Sequence, residues 1–151
     1  MQDTSNLDAM DEKILLTLSR VGRLTNAALA ESVGLSASAC HRRVAALERA
    51  GVIKGYQAVI DRDALGVGFI VYVTVGLRAH DKESQLVFER AMRNARQVTE
   101  CHNVTGAIEY LLRVEVADLV AYKAFHMDVL GTVPGVVSIT SHIVMQTAKA
   151  V

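Results

Sequence analysis

The chain has 151 residues, a hydrophobic fraction of 51% and a formal net charge of zero. This length allows one medium-sized or two small domains, and the apolar content is ample for a buried core, so we expect a folded, soluble protein. No apolar run reaches the roughly 18 residues of a membrane span. The polar start MQDTSNLDAMDEK lacks the charged-then-apolar layout of a secretion signal. We therefore expect a cytoplasmic protein with no membrane partner.

The first predicted element is a helix over residues 8 to 20. Asp8 is suited to cap it. Its apolar residues recur at helical spacing at Met10, Ile14, Leu15 and Leu18. This helix supplies the third member of a small three-helix core, because the helix pair that follows could not bury itself alone.

Residues 24 to 50 predict a helix, a tight turn and a second helix. Thr25 or Asn26 can cap the first helix, and Gly34 is suited to the left-handed conformation that ends it. Ser36 can cap the second helix. The apolar residues of the second helix form one stripe, made by Cys40, Val44 and Leu47. This pattern is typical of a helix-turn-helix.

The second helix carries small or basic residues opposite its apolar stripe. These are Ser38, Arg42, Ala45 and Arg49, with His41 and Arg43 on the flanks. Such a face fits the major groove of double-stranded DNA, where guanidinium groups reach base edges and phosphates. The basic charge is local, because residues 36 to 56 hold four basic residues and one acidic residue. The candidate DNA-binding residues are Thr25, Asn26, Ser36, Ser38, His41, Arg42, Arg43, Arg49 and Lys54.

A short wing and a domain boundary follow this helix. The segment VIKGYQAVI predicts two short β runs around Lys54 and Gly55, placed beside the DNA backbone. The polar-to-apolar transition DRDALG marks the boundary. We expect a DNA-binding domain over residues 1 to 60, a linker over 61 to 66 and a second domain over 67 to 151.

The second half of the chain begins with a strand pattern. From Val67 to Leu77 every odd residue is apolar, and the even residues are too apolar for open water, so a second sheet or another subunit should cover them. The next elements are a helix over residues 82 to 95, strands at 98 to 104 and 110 to 116, a helix capped by Asp118, and a strand from Val136 to Val144. The order βαββαβ predicts an α+β, ferredoxin-like domain with a four-stranded antiparallel sheet and both helices on one face.

Motifs along essentially the whole chain resemble one family. They are LDAMDEKILLTLSRVGRLTNAALAESVGLS, the run from Cys40 to Gly55, CHNVTGAIEYLL, and Pro134-Gly135-Val136. Together they resemble the Lrp/AsnC (feast/famine) family of transcription regulators. The resemblance implies a winged helix-turn-helix followed by an ACT-like domain for amino-acid sensing and oligomerisation. It also implies a nucleoid-associated homodimer that assembles into an octamer.

The predicted sensor hairpin departs from the family pattern Gly-Asp-x-Asp-Tyr. Here the sequence is Gly106-Ala107-Ile108-Glu109-Tyr110, so one acid is missing and the other is one methylene longer. Backbone N–H groups at Gly106 would receive the carboxylate of an amino acid, and Glu109 or loop carbonyls would take its ammonium. The alternative is a plain hairpin turn with a surface acid. The candidate effector-binding residues are Thr105, Gly106, Ala107, Ile108, Glu109 and Tyr110.

The remaining chemistry-bearing residues favour no enzyme. The histidines match no zinc-protease spacing, and the chain has no nucleophile elbow or phosphate-binding glycine loop, so we expect no catalytic residue, cofactor or metal. His102 and Glu100 share a strand face and could meet His142 across the sheet, where an interface cluster is favoured over a metal site. Cys40 and Cys101 are expected to be buried, reduced thiols.

Two other functions stay open. An octamer could wrap DNA with little sequence choice and without an effector, using the same basic residues for backbone contacts. A metabolic enzyme is the less favoured alternative. The ratio of specific to non-specific DNA affinity separates regulation from wrapping.

Overall fold

The computed structural model describes residues 7–149, and these fall into two compact units that divide between Ile60 and Asp61. We call them the helical unit and the sheet unit. The predicted linker over 61 to 66 belongs to the sheet unit by its contacts. No helix among the described residues is long and apolar enough to cross a bilayer.

The helical unit contains the three predicted helices. They are α1 (Ala9–Arg20), α2 (Asn26–Val33) and α3 (Ala37–Arg49). The side chain of Asp8 accepts hydrogen bonds from the backbone of Met10 and Asp11, both at 2.9 Å, and begins α1 with a capping box. Of the two candidate caps for α2, Thr25 is the N-cap, since its hydroxyl accepts from the backbone N–H of Ala28 at 3.2 Å.

The turn between α2 and α3 forms as the sequence predicts. Gly34 has φ +80°, a conformation that costs glycine little, and it ends α2. Ser36 then caps α3 by accepting from Ala39 at 3.3 Å. Two hydrogen bonds between residues farther apart in the sequence hold the turn. Lys13 of α1 donates to the carbonyl of Val33 at 3.1 Å, and Asn26 donates to the carbonyl of Ala37 at 2.8 Å.

One small core holds the three helices together. Its buried members are Ile14, Leu29, Ala30, Val33, Cys40 and Leu47. Each comes from the apolar stripe of its helix, so packing three stripes together buries side chains that one helix pair would leave exposed.

The two β runs predicted within VIKGYQAVI are wrong, because the segment is irregular and contains no strand. The backbone N–H groups of Val52 and Ile53 donate to the carbonyl of Leu47 at 3.0 and 3.2 Å, and their side chains pack on the helical core. Those N–H groups complete the end of α3 and are not available to a strand ladder. The residues that follow are exposed, with Val59 98% accessible.

The sheet unit has the predicted βαββαβ order. Its elements are β1 (Phe69–Leu77), α4 (Lys82–Asn94), β2 (Val98–Asn103), β3 (Tyr110–Val116), α5 (Leu119–Asp128) and β4 (Val136–Ile143). The sheet order is β2-β3-β1-β4 and each neighbouring pair is antiparallel. The α+β, ferredoxin-like prediction is therefore confirmed.

Both helices of the sheet unit cover one face of the sheet. The odd-numbered residues Val71, Val73 and Val75 are fully buried against Phe88 of α4 and Phe125 of α5. The Phe88 and Tyr110 rings pack with centroids 4.5 Å apart. The other face carries the side chains of Ile70, Tyr72, Leu111, Arg113, Thr140 and His142, by strand register.

Two sequence predictions about this unit are wrong. His102 lies on β2 and His142 on β4, which are opposite edges of the sheet, so they cannot meet within one subunit. Instead His102 Nε2 lies 3.2 Å from Glu100 Oε2. Cys101 is exposed, because it lies on the edge strand β2 where the helical layer ends, whereas Cys40 is buried as expected.

Candidate nucleic-acid interface and sensor hairpin

The outer side of α3 presents most of the predicted DNA-reading residues. Ser38, His41, Arg42 and Arg49 are exposed, and Ala45 is half-buried. No carboxylate among residues 7–149 lies within salt-bridge distance of Arg42 or Arg49. The exposed side of α3 therefore combines small side chains with unpaired positive charge, which suits close approach to a polyanion.

Arg43 is placed differently from the other basic residues of α3. Its Nη1 lies 2.8 Å from Asp8 Oδ2 and 2.8 Å from Asp11 Oδ1, and its side chain is 31% exposed. The hydrogen bonds with Asp11 and Asp8 raise the pKa of Arg43. The pKa of Asp8 is lowered by the backbone N–H of Asp11 and by Arg43. Arg43 therefore ties α3 to the start of α1.

The remaining candidates lie at the ends of the helices. Thr25 and Ser36 use their hydroxyls as caps, and Asn26 bridges α2 to α3, so each already has a structural contact. Lys54 is exposed just beyond α3. Near it, the Tyr56 hydroxyl donates to Glu48 Oε1 at 2.8 Å, a contact that the sequence analysis did not anticipate.

The candidate sensor hairpin joins β2 to β3. Gly106 has φ +127°, and the backbone N–H of Val104 donates to the carbonyl of Glu109 at 2.9 Å. The side chains of Thr105 and Ala107 are exposed, whereas Ile108 is half-buried. The turn predicted at Gly106 therefore forms, and its tip is exposed.

Glu109 is engaged within the sheet unit. Its Oε2 accepts from the backbone N–H of Leu77 at 2.6 Å, and its Oε1 lies 2.9 Å from His80 Nδ1. The Leu77 N–H is free for this bond because β1 has a bulge at Gly76 and Leu77. A side chain at Gly76 would collide with Ser138. The sequence pattern gave no sign of the bulge, so this role of Glu109 was missed.

Tyr110 follows the hairpin and is fully buried. Its hydroxyl donates to Glu89 Oε1 at 3.0 Å. Burial, together with the hydrogen bond to Glu89, raises the pKa of Tyr110 to about 12. The phenol therefore stays protonated at neutral pH and acts as a donor.

An ion cluster that the sequence analysis did not anticipate lies on the sheet face opposite the helices. Glu115 has a side chain only 3% exposed; Arg62 Nε lies 3.2 Å from its Oε2, and Arg113 pairs with its Oε1. Two guanidinium groups therefore compensate one buried carboxylate. No group of three or more candidate metal ligands occurs among residues 7–149.

Comparison with known proteins identifies the two units. Residues 7–54 match the family described as winged helix-turn-helix DNA-binding, and residues 70–150 match the Lrp/AsnC ligand binding domain. The transcriptional regulatory protein DoeX of Halomonas elongata is 40% identical over 143 residues, which cover 95% of this chain and 90% of that protein. The leucine-responsive regulatory protein of Escherichia coli is 35% identical over 144 residues, covering 95% and 88%.

Solved structures agree over the same span. A transcriptional regulator of Neisseria meningitidis in complex with L-methionine superposes with a TM-score of 0.91 at 34% identity, covering 96% of this chain and 94% of that one. An AsnC family regulator of Agrobacterium tumefaciens gives 0.89 at 31% identity, covering 95% and 94%. The chain therefore belongs to the Lrp/AsnC family of transcriptional regulators, with a winged helix-turn-helix DNA-binding domain followed in the sequence by a ligand-binding domain.

Proposed function

We propose that this regulator binds operator DNA sequence-specifically through α3 and responds to an amino acid. The observation that carries the first part is the exposed outer side of α3, where Arg42 and Arg49 have no carboxylate partner among the described residues. Arg42 lies near the middle of that side and is assigned to a base edge. Arg49 and Lys54 are assigned to phosphates, with Ser38 and His41 beside Arg42 in the groove.

Operator binding at several salt concentrations tests this assignment. Arg42→Ala should cost about 1–3 kcal/mol and relax the preference at one base position, whereas Arg49→Ala should weaken all sequences alike and flatten the salt dependence. Arg90→Ala, which removes an exposed arginine from α4 of the sheet unit, is the matched control. Parent-like binding by both α3 variants at the same salt would contradict the assignment.

The same assay distinguishes sequence-specific regulation from DNA wrapping without sequence choice. A regulator should bind its operator at least a thousandfold more tightly than random DNA at fixed salt. A ratio near one, with both arginine variants weakening all DNA equally, would favour an architectural protein. We propose no catalytic role, since the relatives are regulators.

We further infer that copies associate through the sheet face opposite the helices, as the first step toward an octamer. This face carries Ile70, Tyr72 and Leu111, and Tyr72 is exposed. Thr74→Arg on the central strand β1 should lower the mass of the full-length protein in light scattering, while Glu83→Arg on α4 should not. In such a dimer, two copies of α3 related by a two-fold axis would contact half-sites about 34 Å apart, or a multiple of that. Such a protein would act on the nucleoid in the cytoplasm.

The amino-acid response is supported by the relatives. One is named leucine-responsive and one structural neighbour was solved with L-methionine. The exposed hairpin tip from Thr105 to Ala107 offers backbone groups to such a ligand, with Ile108, Glu109 and Tyr110 behind it. A thermal-shift screen of the standard amino acids, repeated on Gly106→Asp and Glu109→Ala, tests the hairpin. No stabilisation of the parent would favour an effector-independent regulator.

A further inference from the structure

The segment that follows α3 is held in place although it forms no strand. Val52 and Ile53 pack on the helical core, and their backbone N–H groups donate to the carbonyl of Leu47. Three residues after Ile53, the Tyr56 hydroxyl donates to Glu48 Oε1 at 2.8 Å. Both contacts are made with the last turn of α3. Two points of the segment are therefore attached to the helix that carries the predicted DNA-reading side.

Glu48 lies on the flank of α3 that borders the predicted DNA-reading side. It follows His41 by seven positions, which is about two turns, so the two side chains leave the helix in nearly the same direction. Among residues 7–149, the Tyr56 hydroxyl is the single hydrogen-bond partner of the Glu48 carboxylate, and no cation lies within 4 Å of it. The bond from Tyr56 therefore brings the segment to this flank without a competing ion pair.

The backbone beyond Tyr56 lies beside the connection between α1 and α2. A Cβ atom added to Gly22, within that connection, would lie 3.6 Å from the carbonyl oxygen of Gln57, in ordinary van der Waals contact. The segment therefore runs between the end of α3 and this connection and stays close to the helical unit.

Lys54 lies between the two attachment points. Its side chain is exposed, and no carboxylate in the described part of the chain lies within 4 Å of its ammonium. The three residues from Ile53 to Tyr56 span at most about 10 Å even when fully extended, so the attachments confine the backbone from which the Lys54 side chain projects. An exposed ammonium on a confined backbone is suited to a phosphate contact.

We propose that Tyr56 is a positioning residue for DNA binding, whose hydrogen bond to Glu48 holds the segment after α3 so that Lys54 meets a phosphate. The inference rests on the assignment of Lys54 to a phosphate, proposed above. Ordering a chain segment costs conformational entropy. Because this bond orders the segment before DNA arrives, the cost does not reduce the affinity for DNA.

Titration of the full-length protein with a duplex that the parent selects from a random pool tests the proposal. At about 150 mM salt, Tyr56→Phe should weaken binding about two- to tenfold, the range expected when one side chain has to be ordered on binding. Lys54→Ala should weaken binding at least as much and should reduce the slope of log affinity against log salt by about 0.9. Tyr56→Phe should then have no further effect in the Lys54→Ala protein. An equal loss in both backgrounds would overturn the proposal, because the phenol would then act independently of Lys54.

Glu48→Gln separates positioning from charge. The glutamine keeps an acceptor oxygen for the Tyr56 hydroxyl and removes a negative charge near the DNA, so this variant should bind at least as tightly as the parent. Tyr56→Phe should still weaken binding in the Glu48→Gln protein. If it has no effect there, the hydroxyl only screens the carboxylate from DNA, and the positioning role is overturned. Ser19→Ala, which removes an exposed hydrogen bond from α1, is the matched control and should bind like the parent.

Limited trypsin digestion follows the segment in the absence of DNA. Cleavage after Lys54 should be faster in Tyr56→Phe than in the parent, because cleavage reports the population of the opened segment, whereas Ser19→Ala should be cut at the parental rate. An unchanged rate in Tyr56→Phe would overturn the inference, since the bond would then not hold the segment. Parent-like DNA binding by Lys54→Ala would also overturn it, while Arg42→Ala would still test the assignment of α3 to DNA.

Discussion

Arg43 of α3 donates from Nη1 to Asp11 Oδ1 of α1 at 2.8 Å, across a pair whose side chains are only 31% and 14% exposed. The next residue back, Arg42, is exposed and has no such partner among the described residues. Two adjacent arginines on one helix therefore have different environments. Arg43 connects α3 to α1, whereas Arg42 is the arginine that we assign to DNA.

We predict that replacing Arg43 lowers the stability of the fold, whereas replacing Arg42 lowers the affinity for DNA. Arg43→Gln should lower the urea midpoint of unfolding, because it leaves Asp8 and Asp11 without their cation. Arg42→Gln should leave the midpoint within experimental error but weaken operator binding by about 5- to 150-fold, since a bidentate base contact is worth about 1–3 kcal/mol. Urea unfolding followed by circular dichroism, with operator titration of both variants, checks this. Equal effects in both assays would contradict the division of roles.

The cap of α1 should make stability depend on acid pH. The pKa of Asp8 is lowered below its ordinary 3.8, first by the backbone N–H of Asp11 and then by Arg43. The stabilising effect of the Asp8 carboxylate is therefore fully present above pH 3.8. It is lost as the pH falls through the lowered pKa that Asp8 has in the folded protein. Asp8→Asn keeps a capping side chain but cannot titrate. The stability difference between parent and Asp8→Asn should shrink below pH 3.8 in thermal unfolding, and a difference that grows there would refute the prediction.

Glu109 should behave as a structural residue in the absence of ligand. Glu109→Ala leaves the Leu77 N–H at the bulge without its acceptor, so unfolding should become easier by about 1.5–3 kcal/mol, the value of a hydrogen bond to a charged group. Glu109→Gln retains an acceptor oxygen and should lose less than half as much. Denaturant unfolding of the unliganded protein measures both. If the alanine variant is as stable as the parent, the carboxylate is not holding the bulge.

The two cysteines should differ in reactivity and in their tolerance of substitution. Cys101 is exposed and should react with an aromatic disulfide reagent in the native protein. It should react more slowly than a free thiol, because partial desolvation raises the pKa of its thiol. Cys40 should react only after unfolding. Cys40→Ser places a hydroxyl in the apolar core and should cost about 1–3 kcal/mol, whereas Cys101→Ser should be within about 0.5 kcal/mol of the parent. Rapid native labelling of both thiols would contradict this picture.

Local signals explain which parts of the structure were predictable. Caps such as Thr25 and Ser36, and the left-handed Gly34, act within a few residues, and the alternation in β1 reports burial directly. The missed features depend on residues far apart in the chain. Asp11 and Arg43 meet only after the three helices pack, and Glu109 finds its acceptor role only because β1 bulges against β4.

The predictions of two β runs after α3 and of contact between His102 and His142 were wrong for the same reason. Val52 and Ile53 have strand-like side chains, but their N–H groups complete the end of α3, and propensity alone does not reveal that competition. Whether His142 could meet His102 depends on the order of the strands in the sheet, which hydrophobic periodicity does not determine. Candidate site residues could thus be named from the sequence, but their partners could not.

The strand order has a consequence for how the protein acquires its structure during synthesis. The helical unit makes contacts between neighbouring segments, so it can form early and quickly. In the sheet unit the inner strand β1 pairs with β3 and with β4, and Val75 meets Ile139 from far along the chain. We therefore expect one edge of β1 to stay unpaired until β4 has emerged from the ribosome, so that the growing chain exposes an open strand edge at that stage.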